Sequence, residues 1–262
     1  MKILGIISQM NQLKPIPYDL NRIKDHLHWM GFTVFHFESI DSTNEHIKNH
    51  PEYPNLTLVI ADEQSAGRGR QERSFESKKD VGIYTSVLIK RNYDAQNIAW
   101  LSLMCGQVIA EVLSQYTAKS CQVKWPNDVL INKKKVAGIL VEHLGDGRII
   151  VGFGINLFPQ AFDPSFQDRA SFLTQDDSVD KNLILIEIYQ RLVKIFKQPY
   201  CLEHKLLYEE KLSMNKVVIV QSKHHHYSAR VLGVSDFGLL MVEDEKGKIH
   251  HLSSEDIHLV SK

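Results

Sequence analysis

Apolar positions change their spacing several times along the chain, and each spacing predicts an element. In the run Asn97 to Tyr116, Ile98, Leu101, Met104, Cys105, Val108 and Val112 fall on one helical face. This predicts an amphipathic helix whose apolar side chains belong to the core. A shorter helix is predicted from Leu20 to Met30, after Pro15 and Pro17 and stopping near Gly31. Alternating or continuous apolar runs predict strands at Thr33 to Phe37, Leu56 to Ala61, Gly82 to Ile89, Gln122 to Trp125, Val129 to Ile131, Val136 to Glu142 and Ile149 to Asn156. Asn132-Lys133 and Gly145-Asp146-Gly147 supply tight turns between the last of these. Residues 181–212 return to a helical pattern. From about residue 213 the texture changes to short strands separated by turns: Val217 to Gln221, Tyr227 to Val231, Gly238 to Glu243 and Lys248 to Leu252. The fold class is α+β. Three regions follow: an N-terminal helical segment (1–36), a main domain (37–212) and a small β-barrel (213–262).

Composition narrows the class. Of 262 residues, 43% are hydrophobic, enough for a real core. Thirty-one Lys and Arg balance thirty-one Asp and Glu, so no basic footprint points to nucleic acid as a bulk partner. The three cysteines, Cys105, Cys121 and Cys201, are far apart and read as free thiols in a reducing compartment. The apolar run Ile3 to Ile7 is too short for a signal peptide, and no stretch reaches the roughly eighteen apolar residues of a membrane span. The expected location is the cytoplasm.

Four segments carry candidate chemistry. Asp62 to Arg73 (DEQSAGRGRQER) follows a strand and is almost free of apolar residues, so it reads as a loop. Gly67 and Gly69 let backbone approach a ligand, and Arg68, Arg70 and Arg73 offer forked donors for phosphate or carboxylate. Read alone, this loop is equally an anion site and a solvated basic loop. Lys124-Trp125-Pro126-Asn127-Asp128 ends a strand and turns; Lys135-Val136-Ala137-Gly138-Ile139-Leu140 opens a buried one. In a hairpin, Lys124 and Lys135 would lie on neighbouring strands, and Gly138 would mark close approach by a ligand. Asp41-Ser42-Thr43-Asn44-Glu45 is a capping box, and a helix start also presents donors to a polar ligand. Val151 to Asn156 places Gly152 and Gly154 in a strand, either beside a pocket or at a bare sheet crossing. His224-His225-His226 has no acidic or cysteine partner nearby and reads as a surface loop rather than a metal site.

In this order and at these intervals, the segments resemble the biotin–protein ligase family, from about Phe37 to the C-terminus. The resemblance implies a mixed sheet flanked by helices, like class II aminoacyl-tRNA synthetases, followed by an SH3-like β-barrel. It implies that the biotin carboxylate attacks the α-phosphate of ATP, with Mg2+, and that a lysine of the biotin carboxyl carrier protein then attacks the biotinyl-adenylate. Carried over by position, Lys135, Lys124, Asp128 and Arg70 are catalytic. Ser42, Thr43, Asn44, Gln64, Arg68, Gly69, Arg70, Lys135 and Gly138 bind biotin. Arg70, Arg73, Phe75, Lys124, Asn127 and Asn156 hold ATP and the adenylate, and Asp128 is the magnesium contact. The loop 62–80 is expected to close over the adenylate. Glu72 stands where the family often has glycine, and Phe75 where it often has tryptophan. Many relatives carry an N-terminal winged helix; with only residues 1–36 before the match, DNA binding is not expected, and a monomer or a weak, ligand-induced homodimer is. The alternatives are a lipoate or octanoate ligase of the same fold and a non-catalytic sensor of biotinyl-adenylate.

Overall fold

The computed structural model describes residues 15–164, 166–211, 216–221, 226–253 and 256–259. The Ile3–Ile7 run, His224 and His225 lie outside them. Helix α1 (Leu20–His28) starts on Asp19, whose side chain accepts from Arg22 N. Its C-cap is Trp29, and two residues on the chain turns at Gly31, which takes a φ of +92° that side chains resist. Ile23 and Leu27, four apart, are fully buried. Asp19 N donates to Asn182 Oδ1, and Arg22 pairs with Asp180 at 2.6 Å. The described part of the N-terminal segment is thus built into the main body, and the strand that follows it crosses residue 36.

That strand, β1 (Thr33–Ile40), opens a seven-stranded sheet. Helix α2 (Thr43–Lys48) leads to β2 (Thr57–Gln64) and β3 (Gly82–Lys90). Helix α3 (Ala95–Leu113) precedes a meander of β4 (Cys121–Lys124), β5 (Asp128–Ile131), β6 (Lys134–His143) and β7 (Arg148–Asn156). The order is β1-β2-β3-β7-β6-β5-β4; β1 and β2 are parallel and every other neighbouring pair antiparallel. Asn132 and Lys133 both have positive φ, the geometry of a two-residue hairpin turn.

The helical region from residue 181 holds two helices, α4 (Lys181–Ile195) and α5 (Leu202–Lys211). Pro199 sits in the break; it has no N–H to continue the first helix. Helices α3 and α4 cover one face of the sheet and make the main core. By length and composition alone, Gln96–Tyr116 is long and apolar enough to cross a membrane. Here Trp100, Leu101, Cys105, Ile109, Val112 and Leu113 have no exposure, and the segment is the core helix under the sheet.

The second face is only partly covered. Ile47 of α2 packs on Val59, Leu88 and Ile150 in a small separate core. The rest of this face is left to the 65–77 loop.

The C-terminal region is an antiparallel sheet of β8 (Val217–Gln221), β9 (His226–Val234), β10 (Leu240–Asp244), β11 (Ile249–Leu252) and β12 (Asp256–Leu259), in the order β11-β10-β9-β8-β12. The sequence pattern did not show β12. The 235–239 turn fastens this sheet to the main body. Trp100 Nε1 donates to Asp236 O at 2.8 Å, Trp125 Nε1 to Gly238 O at 3.0 Å, and Lys205 pairs with Asp236 at 2.7 Å.

Candidate active site

One register row crosses all seven strands on the partly covered face. From edge to edge it reads Lys124, Asp128, Gly138, Gly154, Tyr84, Ala61, Phe37. Residues in one row point to one side of a sheet. The row is therefore charged at one edge, has a bare backbone floor of two glycines in the middle, and is apolar beyond. The Tyr84 hydroxyl donates to Lys78 O at 2.9 Å. Burial, with Glu76 and Asp80 adding to it, holds that phenol well above the usual tyrosine range, so it stays a neutral donor.

Lys135 joins this row through a local irregularity. Strict alternation puts residues 135 and 138 on opposite faces. The β5–β6 pairing slips, however: Val129 faces Ala137, but Leu130 faces Lys135. The extra residue reverses the phase, as β-bulges do when they re-aim a side chain. Lys135 Nζ then lies 2.7 Å from Asp128 Oδ1 and 2.8 Å from where a Cβ on Gly138 would sit. Its backbone pairs outward with Arg169 O and Ser171 N, which fixes the bulge. Lys124 and Lys135 are not on neighbouring strands: the connection is a three-strand meander, and Asp128 stands on the strand between them. Asn127 donates Nδ2 to Ile139 O at 2.9 Å and tacks the turn before Asp128 onto β6.

The start of α2 forms a polar wall beside the glycine floor. Ser42, Thr43 and Asn44 are all at least 95% buried, and Ser42 caps the helix. Thr43 N donates to Gln64 Oε1 at 2.8 Å, and the Thr43 and Ser86 hydroxyls are 2.6 Å apart. Asn44 donates to Glu142 at 2.6 Å and accepts from Ser86 at 2.5 Å.

The glycine–arginine segment is more ordered than a loop. Asp62, Glu63 and Gln64 belong to β2. Asp62 faces the other side, 3.2 Å from His36 and 4.0 Å from the buried Lys181. Burial lowers the Lys181 pKa, and Asp62 opposes that shift. Beyond Gln64 the chain folds as a narrow hairpin: Gln64 pairs with Ser77 and Arg68 with Ser74. The lack of a side chain at Gly67 permits this closeness, since a Cβ there would stand 2.3 Å from Phe75 O. Arg68 is tied to Glu45 of α2, and Gly69 N donates to Arg73 O at 2.6 Å. Arg70 opens the single 3-10 turn at the tip (Arg70–Glu72) and Arg73 closes it; the Glu72 side chain lies outside the described ones. The hairpin's return lays the Phe75 ring on the glycine floor, 2.3 Å from where a Gly154 Cβ would be, with Lys135 Nζ 5.9 Å from the ring centre.

Asn156 lies two residues along β7 from Gly154, paired with Gly82. Its side chain donates to Ser171 O at 3.2 Å and accepts from Gln160 at 3.0 Å, so it braces the 157–171 segment. Glu142, Ser86, Ser77 and Tyr84 were not singled out from the sequence. A serine inside the apolar run Gly82–Lys90 and a glutamate ending a buried strand were the available signals. Among the described residues no group of three His, Cys, Asp or Glu side chains is placed to hold a metal.

Residues 36–156 match the model of the biotin/lipoate A/B protein ligase family. The bifunctional ligase/repressor BirA of Bacillus subtilis is 28% identical over 246 residues, covering 88% of this chain and 75% of the relative. The biotin–[acetyl-CoA-carboxylase] ligase of Paracoccus denitrificans is 38% identical over 125 residues, 45% of this chain and 51% of the relative. Among solved structures, the biotin protein ligase of Aquifex aeolicus in complex with biotin and ATP superposes with a TM-score of 0.74 at 28% identity, covering 88% of this chain and 99% of that one.

Proposed function

We propose a division of labour for a chain that belongs to the biotin/lipoate A/B protein ligase family: it joins biotin to ATP and passes the biotinyl group to a lysine of a protein substrate. One observation carries the assignment of residues. The row Lys124–Asp128–Gly138–Gly154 offers a flat floor with cations at one edge, and the polar α2 wall stands beside it.

Biotin's ureido group donates and accepts, and Thr43, Asn44 and Gln64 supply both functions. Its apolar ring lies against the floor that Gly138 and Gly154 leave bare, with Phe75 shifting to cover it. The carboxylate then points to Lys135. Its oxygen attacks the α-phosphorus of ATP, the bond to the bridging oxygen breaks, and pyrophosphate leaves with that electron pair. Attack of an anion on an anion is opposed by about 4 kcal/mol for unit charges about 4 Å apart near a surface. Lys135, Lys124 and the tip arginines Arg70 and Arg73 offset that repulsion and stabilise the charge that develops. Asp128, the carboxylate in the row, would be the residue to hold the magnesium that accompanies ATP, and the ion would supply positive charge to the phosphates. In the second step the acceptor lysine, as free amine, attacks the acyl carbon and AMP leaves.

The acceptor is read as the biotin carboxyl carrier protein, and the working compartment as the cytoplasm. The main domain is read as related to class II aminoacyl-tRNA synthetases and the C-terminal sheet as SH3-like. The test is pyrophosphate exchange with biotin, lipoate and octanoate, followed by transfer to an apo carrier domain. Exchange with biotin alone and transfer to the carrier lysine are expected; exchange only with lipoate or octanoate, or none, overturns the reading.

A further inference from the structure

A single hydrogen-bonded chain runs behind the α2 wall, from β6 to the 65–77 hairpin. Glu142 Oε2 accepts from Asn44 Nδ2 at 2.6 Å. Asn44 Oδ1 accepts from the Ser86 hydroxyl at 2.5 Å. Ser86 Oγ and Thr43 Oγ1 are 2.6 Å apart. Gln64 Oε1 lies 2.8 Å from Thr43 N, and Gln64 Nε2 donates to Ser77 Oγ at 2.7 Å. Ser77 donates to the Phe75 carbonyl at 3.1 Å.

Both ends of this chain can only accept. An ionised carboxylate has no proton to give, and neither has a backbone carbonyl. Glu142 therefore requires the Asn44 carboxamide to aim its NH2 group at β6 and its oxygen at Ser86. Ser86 has one hydroxyl proton and gives it to that oxygen, so the single Thr43 hydroxyl proton serves the contacts to Ser86 Oγ at 2.6 Å and to Gln64 Oε1 at 3.1 Å. The carboxamide cannot evade the choice by moving. Gly152 lies beneath it, and a Cβ there would be 1.9 Å from Asn44 Oδ1. Turning the amide over would exchange donor for acceptor in place and reverse the hydroxyl behind it.

We propose that Glu142 is a positioning residue for biotin recognition: through the Asn44 carboxamide it fixes which atoms of the Asn44–Ser86–Thr43 wall donate and which accept. The inference rests on the reading of that wall as the biotin site. Glu142 acts through Asn44 and takes no part in the transfer chemistry. Uncharged glutamine in its place both donates and accepts, so it admits both orientations of Asn44; aspartate keeps an acceptor-only group.

The experiment measures biotin-dependent pyrophosphate exchange by the full chain carrying Glu142→Gln, Glu142→Asp or Asn44→Ala, with thermal unfolding of each. Glu142→Gln is expected to raise the KM for biotin about tenfold, equivalent to about 1.4 kcal/mol. Its kcat and its KM for ATP are expected to stay within about twofold, because the interaction made is uniform along the reaction. Glu142→Asp is expected to recover most of the loss. A biotin KM for Glu142→Gln within about twofold of the wild type, equal damage from Gln and Asp, or parallel loss in kcat and thermal stability overturns the proposal. Asn44→Ala separates the two readings. If it raises the biotin KM while Glu142→Gln does not, the wall stands and the role of Glu142 is refuted. If Asn44→Ala leaves the biotin KM unchanged, the wall reading fails and this inference fails with it.

Discussion

Lys135→Ala should separate catalysis from folding. The Lys135 ammonium is 2.7 Å from Asp128, but the two side chains are 35% and 23% exposed. A pair this open to water contributes about 0.2–1 kcal/mol to stability, so the melting temperature should fall by less than about 4 °C. Toward an anionic substrate the same ammonium is worth more. At about 4 Å and an effective dielectric of about 20, the attraction is about 4 kcal/mol, and partial exposure reduces it to about 2–4. The expected loss in kcat/KM for biotin is about 30- to 1000-fold in pyrophosphate exchange. A second effect tests the geometry. Without Lys135, the Asp128 carboxylate faces the incoming anions unpaired, so removing Asp128 should harm the Lys135→Ala protein less than the wild type. A loss under about threefold, or one that tracks the melting temperature, would remove Lys135 from the site. Additive effects of the two substitutions would refute its link to Asp128.

Three further outcomes follow from the packing. Gly154→Ala places a methyl within 2.3 Å of the Phe75 ring and must drive the ring off the floor; trypsin should then cut faster at Arg70 or Arg73, and unchanged cleavage would show that the ring does not pin the hairpin. Trp125→Phe removes the donor to Gly238 O and leaves that carbonyl unpaired, which should cost about 1–3 kcal/mol of stability; thermal unfolding indistinguishable from the wild type would show that this bond does not hold the C-terminal sheet. The phenols of Tyr18, Tyr84, Tyr189 and Tyr208 are held well above their ordinary range by burial, and that of Tyr93 is pushed up to about 12. A raised folded pKa gives stability that is complete below the unfolded value of about 10 and is lost as pH rises through the folded one. Tyrosinate absorbance from these residues should therefore appear together with loss of circular dichroism above pH 10, and ionisation near pH 10 with intact dichroism would contradict their burial.

The sequence shows the elements more readily than their phase. Periodicity finds the long helix and the strands of the large sheet because each repeats one spacing over enough residues. It misses β12, and it takes Asp62 for loop, because that carboxylate turns to the buried Lys181 on the far side of the sheet. It puts Lys124 and Lys135 on neighbouring strands only if the segment is a hairpin, whereas the predicted strand Val129 to Ile131 does stand between them. Above all, it cannot see that Lys135 shares a face with Gly138. That depends on a slip in pairing with β5, and register belongs to two strands rather than one.

The binding face is nonetheless marked in the sequence, as departures from what a strand in that place should contain. A sheet face packed against a helix favours large apolar side chains. Gly138, Gly152 and Gly154 leave it bare, Ser86 puts a hydroxyl in an apolar run, and Glu142 ends a buried strand with a charge. Each is locally unfavourable, and functional sites are where such local conflicts are expected. Gathered by the register, they fall on the one face that α3 and α4 do not cover: the glycines under Phe75 and Asn44, the serine and the glutamate on either side of the Asn44 carboxamide. The α2 motif alone reads as a helix cap and the glycine–arginine segment alone as a basic turn. Their hydrogen bonds to this set of exceptions give both a second role as walls of the site.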